Sequence, residues 1–267
     1  MTTQNSKTFD IDCSLDYQLS GSTDFLLQIH ALRGMDQRVL SESLVLSPDQ
    51  PVHVYEDPTV RHRFARLQAR EGTFSIRYRA RVERKPPPRN LQATEVPISE
   101  LPDVVLHNLM PTRYCESDLL SRAAQKIFGD HPPGYARVQA ISDWIHEHIE
   151  YQVGTSTATT TACDVFRQRA GVCRDFAHLG VTFCRALNIP ARLVAGYAEF
   201  DEPPPDFHAA FEVWLSDGWV LFDPTRLVDV DDMVRIAVGR DAKDVAFATL
   251  FGPATMTSMA PLIHRVP

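Results

Sequence analysis

The run Lys85-Pro86-Pro87-Pro88-Arg89 cuts this chain in two. A central strand needs amide hydrogens to donate to its neighbours, and a proline has none. Three in a row stop a strand, and they stop a helix interior as firmly. The patterning differs on the two sides. Upstream, "DFLLQIHAL" and "SESLVLSP" are short apolar runs bounded by turn residues. The clearest strand is "FSIRYRARV", residues 74–82. There Phe74, Ile76, Tyr78, Ala80 and Val82 alternate with Ser75, Arg77, Arg79 and Arg81, the period of a half-buried strand. Downstream, Pro97, Pro102 and Pro111 mark residues 90–115 as a connecting segment, and then the pattern turns helical. Ser117 is a candidate N-cap for "DLLSRAAQKIF" and Gly129 its stop. Val138, Ile141, Trp144, Ile145 and Ile149 recur at helical spacing, and a further helix with Phe176, Gly180, Phe183 and Leu187 on one stripe starts at or beside Cys173. "IPARLVAGYAEF" reads as a strand. "HAAFEVWLS" and "WVLFDPT" read as a hairpin joined by Asp217-Gly218. The order predicts an α+β chain. Residues 1–112 form a β-rich, sandwich-like N-terminal domain with its connecting segment, and residues 113–267 a core of helices packed on an antiparallel sheet.

Composition narrows the function. A net charge of −7 over 267 residues argues against general affinity for nucleic acid, which needs concentrated positive charge. In so acidic a chain the arginine stripe of 74–82 reads as a solvated sheet face rather than a seat for an acidic partner. No apolar stretch reaches the roughly 18 residues of a spanning helix. "MTTQNSKTFDIDCSLDYQ" also lacks an apolar core of signal-peptide length. A cytoplasmic protein with no membrane partner is therefore expected, and the patterning specifies no oligomeric state. Five cysteines, an odd number, do not read as a disulfide framework, so each is expected to be a free thiol.

One of those thiols stands apart. Cys184 lies mid-helix beside Phe183, and Cys13, Cys115 and Cys163 read as small buried hydrophobes. Cys173, in "RAGVCRDFAHLG", follows a glycine turn and opens a helix. Unpaired amides and the helix dipole favour an anion there, and a thiol attacks as an anion. The same amides can hold the oxyanion of a tetrahedral intermediate. A thiol nucleophile also needs a base, and the base needs an orienting group. His208 and Asp223 are the candidates. With Asp217-Gly218 as a two-residue loop, Ser216 pairs with Trp219, Trp214 with Leu221 and Glu212 with Asp223. His208, Glu212 and Asp223 then share one face, but His208 lies four residues, roughly 13 Å, beyond the partner of Asp223. Either a bulge closes that gap or Glu212 orients the ring instead. His178 sits about 140° around the helix from Cys173 and reads as packing. His146 and His148, two apart on a helix, diverge and make a poor metal site. Arg174, in the first turn, faces substrate or solvent. The loop "DEPPPDF", 201–207, is expected to line one wall of the cleft.

"GVCRDFAHL" and "DFHAAFEVWLSDGWVLFDPT" together resemble the core of the transglutaminase-like superfamily, a papain-like fold with a Cys-His-Asp triad. The resemblance runs from about residue 114 to about 250 and includes "VGRDAKDVA". Residues 1–90 resemble the β-rich N-terminal domain of a bacterial subgroup of candidate cysteine proteases. It implies Cys173 as nucleophile, His208 as base and Asp223, rather than Glu212, as the orienting acid. The implied activity is thiol-dependent acyl transfer on amide bonds of a peptide or protein substrate through a thioester. Hydrolysis is favoured because the bacterial subgroup is protease-like. Transglutamination or glutamine deamidation is the alternative within enzymes, and a non-catalytic protein-binding module the alternative outside them. Tyr151 or Gln152, in "IEYQVGTS", is a candidate second oxyanion donor, and with Arg174 these are the candidate substrate-binding residues. The chain lacks an acidic loop of calcium-binding spacing and paired Cys-x-x-Cys elements for zinc, so no metal and no cofactor is implied.

Overall fold

A computed structural model describes residues 6–58, 61–200, 202 and 204–266. Six strands precede the prolines: β1 (Lys7–Leu19), β2 (Thr23–Leu27), β3 (Gln37–Ser47), β4 (His53–Glu56), β5 (Arg63–Ala69) and β6 (Gly72–Arg84). The arginine stripe lies on β6 and finds its counter-charges within the sheet. On the antiparallel neighbour β1, Asp10 takes two bonds from Arg81 (2.7 and 2.6 Å), and Asp12 bridges Arg77 and Arg79 (2.9 and 3.2 Å). The other faces of β1 and β6 bury Phe9, Ile11, Leu15, Phe74, Ile76 and Val82.

The connecting segment forms two short 3-10 helices, Ile98–Glu100 and Asp103–Leu109. Beyond it come α1 (Ser117–Phe128), α2 (Tyr135–His148), β7 (Glu150–Tyr151), α3 (Ala162–Gln168), β8 (Ala170–Gly171) and α4 (Cys173–Ala186). These are followed by β9 (Ala191–Tyr197), β10 (His208–Leu215), β11 (Gly218–Phe222) and β12 (Val234–Gly239). Ser117 proves to be the first helical residue of α1 rather than its cap, a place taken by Glu116 without a side-chain bond; Gly129 does end the helix. The strands make an antiparallel sheet in the order β11-β10-β9-β12. α4 packs on it and the other helices gather round α4. Gly180 is what lets α4 settle: a Cβ there would meet the Phe211 ring at 2.6 Å.

The end of the chain departs from the expected division. β13 (Ala248–Phe251) pairs with β2, and β14 (Ala254–Val266) pairs with β1 along most of its length. Residues 248–266, assigned to the core on sequence, thus complete the N-terminal sheets, whose orders are β14-β1-β6-β3 and β13-β2-β5-β4. The physical reason is edge satisfaction. Without β14, the 13-residue β1 would expose a full row of unpaired backbone groups. β14 is itself an edge, and it tolerates Pro261 for that reason.

The two halves are fixed to each other by buried polar ties. Gln37 Nε2 donates to the carbonyls of Leu32 and Arg235, and its oxygen accepts from the Arg235 amide. His62 meets the Val238 backbone, and the Tyr197 hydroxyl donates to the Ile29 carbonyl at 2.7 Å. Replacing Gly180 by alanine gains the roughly 1 kcal/mol of helix propensity that glycine lacks. It also forces a methyl into the Phe211 ring, so we expect a net loss of about 1–2 kcal/mol in chemical denaturation.

Candidate active site

Hairpin register decides which carboxylate meets His208. The ladder runs Leu215↔Gly218, Trp214↔Trp219, Val213↔Val220, Glu212↔Leu221 and Phe211↔Phe222. The two-residue loop is therefore Ser216-Asp217, and Gly218, at φ +103°, opens β11 instead of sitting in the turn. This corrects the expected pairing and removes its difficulty. Asp223 moves two residues towards His208, and no bulge is needed. His208 Nε2 lies 3.0 Å from Asp223 Oδ2. The other Asp223 oxygen accepts from the amide and the hydroxyl of Thr225 (3.0 and 2.7 Å), which fixes the carboxylate from behind. Glu212, the alternative orienting acid, is fully buried between Arg192 and Arg235 and belongs to neither group.

Cys173 is the first residue of α4 and half-buried, whereas the other four cysteines are buried. Burial pushes Cys13 and Cys115 up to about 12 and Cys163 to about 11, and raises Cys184 as well. Those four are thiols at neutral pH. The backbone entering α4 is held by Asp175, whose carboxylate accepts from the Val172 amide at 2.9 Å. Cys173 Sγ lies 3.9 Å from the Phe207 carbonyl. The ring of His208 interacts with both Asp223 and Cys173. Burial alone would pull its imidazole down. The bond to Asp223 and the nearness of Cys173, and then their charges, outweigh burial and raise it to about 10. The ring is thereby held as an imidazolium.

A two-rung parallel ladder brings the second candidate group to the same place. Glu150 pairs with Ala170 and Tyr151 with Gly171, two residues before Cys173. Burial, and next the neighbouring Cys173, push the Tyr151 hydroxyl well up, and that hydroxyl lies beside Cys173. The Gln152 amide extends the ladder to the Gly171 carbonyl at 2.9 Å, but Gln152 is exposed. Arg174 is tied to the neighbouring loop. Its guanidinium donates to Ser156 Oγ (2.7 Å) and the Thr157 carbonyl (2.8 Å), bracing the loop that follows Gln152. The 201–207 loop ends with the Phe207 carbonyl at the thiol; Asp201 and Pro203 lie outside the described residues.

His178 is buried, accepts from the Ala242 amide (3.1 Å) and stacks on Tyr114. Burial pushes it down to about 3, so it is neutral packing, as expected. His146 and His148 bond to the Pro224 and Trp144 carbonyls. Among the described residues no three His, Cys, Asp or Glu side chains are placed to hold a metal, and no helix is long and apolar enough to cross a membrane. Thr225, which fixes Asp223, went unread in the sequence. Its signal was the "DPT" already quoted.

Comparison with known proteins then places the chain. Residues 121–224 match the profile of the transglutaminase-like superfamily, and residues 7–103 match that of the bacterial transglutaminase N-terminal domain. A crystal structure of a candidate cysteine protease from Cytophaga hutchinsonii is 42% identical, with a TM-score of 0.93, covering 98% of this chain and 92% of that one. The chain belongs to the transglutaminase-like superfamily. Among curated relatives, an uncharacterized protein of Mycobacterium leprae is 33% identical over 150 residues, 52% of each chain. A protein-glutamine gamma-glutamyltransferase of Pseudomonas aeruginosa is 30% identical over 120 residues, 39% of this chain and 18% of that one. The match thus spans about half the length of the first of these relatives and far less of the second. The transglutaminase-like core and its bacterial N-terminal domain account for both halves of the fold.

The raised imidazole gives a pH test. A folded value above that of free histidine, about 6.5, makes the ion pair's contribution complete below that pH and loses it as pH rises through about 10. Denaturation midpoints should fall between pH 7 and pH 10, and Asp223→Asn should flatten that fall. Identical slopes in the two proteins would mean that Asp223 does not hold the ring charged.

Proposed function

We propose that this protein is a thiol-dependent acyl-transfer enzyme acting on amide bonds of peptides or proteins, and that its reaction is hydrolytic, as in a cysteine protease. One observation carries the reading: the half-buried thiol at the start of α4 faces an imidazole whose other side is bonded to a fixed carboxylate. In this reading Cys173 sulfur, as thiolate, adds to the amide carbonyl carbon. The oxyanion takes hydrogen bonds from the Cys173 amide and the Tyr151 hydroxyl. The imidazolium of His208 then protonates the departing nitrogen, the C–N bond breaks and a thioester remains. Water, losing its proton to His208, adds to the thioester. The acid leaves and the thiolate returns. Asp223 holds the ring and balances its charge throughout. Five free thiols without a disulfide suit a reducing cytoplasm.

A second reading replaces water with a primary amine, or takes a glutamine side chain as the amide. The likeness to the Pseudomonas aeruginosa gamma-glutamyltransferase favours it. One experiment separates the two: incubate the protein with peptide and glutamine-donor libraries, with and without an added primary amine, and read products by mass. New carboxyl termini that need Cys173 support hydrolysis, and amine adducts on glutamine support transfer. Neither product, with Cys173 alkylated by iodoacetamide no faster than Cys184 at neutral pH, would leave a binding module. Against whichever substrate is found, Cys173→Ala should abolish turnover. Tyr151→Phe should lower kcat by about 10²–10³-fold, the usual cost of one oxyanion donor, with little change in KM.

A further inference from the structure

Phe207 links the base to the rest of the molecule. Its carbonyl faces the Cys173 thiol, and the next residue is His208. Two other rings pack against its own: Phe247 stacks at 4.6 Å and 18°, and Tyr197 lies 5.2 Å away at 46°. Neither belongs to the β10–β11 hairpin. Phe247 immediately precedes β13, the strand that pairs with β2, and its carbonyl accepts from the Gln28 amide at 2.8 Å. Tyr197 closes β9, and its hydroxyl donates to the carbonyl of Ile29. The two residues are therefore anchored on neighbouring positions of the N-terminal half, Phe247 on Gln28 and Tyr197 on Ile29.

On its own side Phe207 has much less to hold it. It follows a proline-rich loop, and Asp206 ties only the Phe207 amide, its sequence neighbour. A misplacement of about 1 Å between reacting groups can cost on the order of 100-fold in rate. Asp223 and the pairing with Gly196 hold His208 from one side, and the aromatic stack holds the residue before it from the other.

We propose that the N-terminal domain serves the active site through this stack, with Phe247 and Tyr197 as positioning residues that hold the Phe207–His208 segment against Cys173. The proposal rests on the triad reading above and deepens it by giving the β-rich half a role in catalysis. It predicts that a chain lacking the stack folds but holds its thiolate–imidazolium pair less well.

The test uses the full chain and measures the alkylation rate of Cys173 by iodoacetamide from pH 5 to pH 10, peptide by peptide in the mass spectrometer. In the unaltered protein Cys173 should react much faster than Cys184 at pH 6; if it does not, the triad reading itself fails. Phe247→Ala should slow Cys173 at least tenfold at pH 6, converge on the unaltered rate near pH 10, and move the half-maximal pH upward. Tyr197→Phe keeps the ring and removes the tie to Ile29. It should slow Cys173 about threefold, and it covers the case in which Phe247→Ala fails to fold. Leu250→Ala perturbs the same β13 strand away from Phe207 and should lower thermal stability with the pH profile unchanged. If the foldable stack variants keep the unaltered profile, or if Leu250→Ala shifts it equally, the proposal is overturned while the triad reading stands.

Discussion

A charged imidazole in a buried place is unstable unless something holds the charge, and the bond from His208 to Asp223 is what the rest of the core is arranged to keep. Burial works against that ring. The carboxylate wins because it is short of alternatives: one oxygen is already committed to Thr225, and the other points at the ring. The neighbouring Glu212 could have competed, and two arginines remove it from contention. A buried ion pair of this kind is costly to break, because the charge left behind has no partner. Its value lies in keeping an imidazolium where the proposed chemistry needs one.

The opposing side of the cleft is built by backbone, which is stiffer than side chains. The β7–β8 ladder places Tyr151 beside Cys173, and Asp175 holds the turn from which the thiol projects. Arg174 then ties the next loop to the same helix. In the proposed reaction these ties would fix the donors before any substrate arrives, which is where electrostatic stabilisation of an oxyanion gains its advantage over water. Sheet closure adds a longer-range constraint. The last strands of the chain return to the N-terminal sheets, so the β-rich half cannot move without dragging Phe247, which stacks on the residue before His208.

Much of this was legible in the residues. Strict alternation in 74–82 gave β6 its inward face, because period-2 burial is local. Cys173 at a helix start and His208 and Asp223 on one face of a hairpin were readable for the same reason. The pairing of the hairpin was not. Asp217-Gly218 is a strong turn signal, yet the turn slid one residue back. Both registers bury Phe211, Val213, Leu215 and Phe222; the observed one brings Asp223 within reach of His208 and gives Gly218 the positive φ that it tolerates. Arg174 looked like a substrate contact because a sequence cannot show which loop will lie across from a helix.

The sequence by itself determined the chemistry on offer: one thiol at a helix N-terminus, an imidazole and a carboxylate, and the elements that carry them, since capping, periodicity and turn signals act over a few residues. Only the tertiary structure decided which carboxylate faces the ring, and that the tail of the chain belongs to the N-terminal sheets. Those choices rest on contacts between segments far apart along the chain. β14 pairs with β1 because an exposed strand edge needs a partner from somewhere, and nothing local in "ATMTSMAPLIHRV" says where.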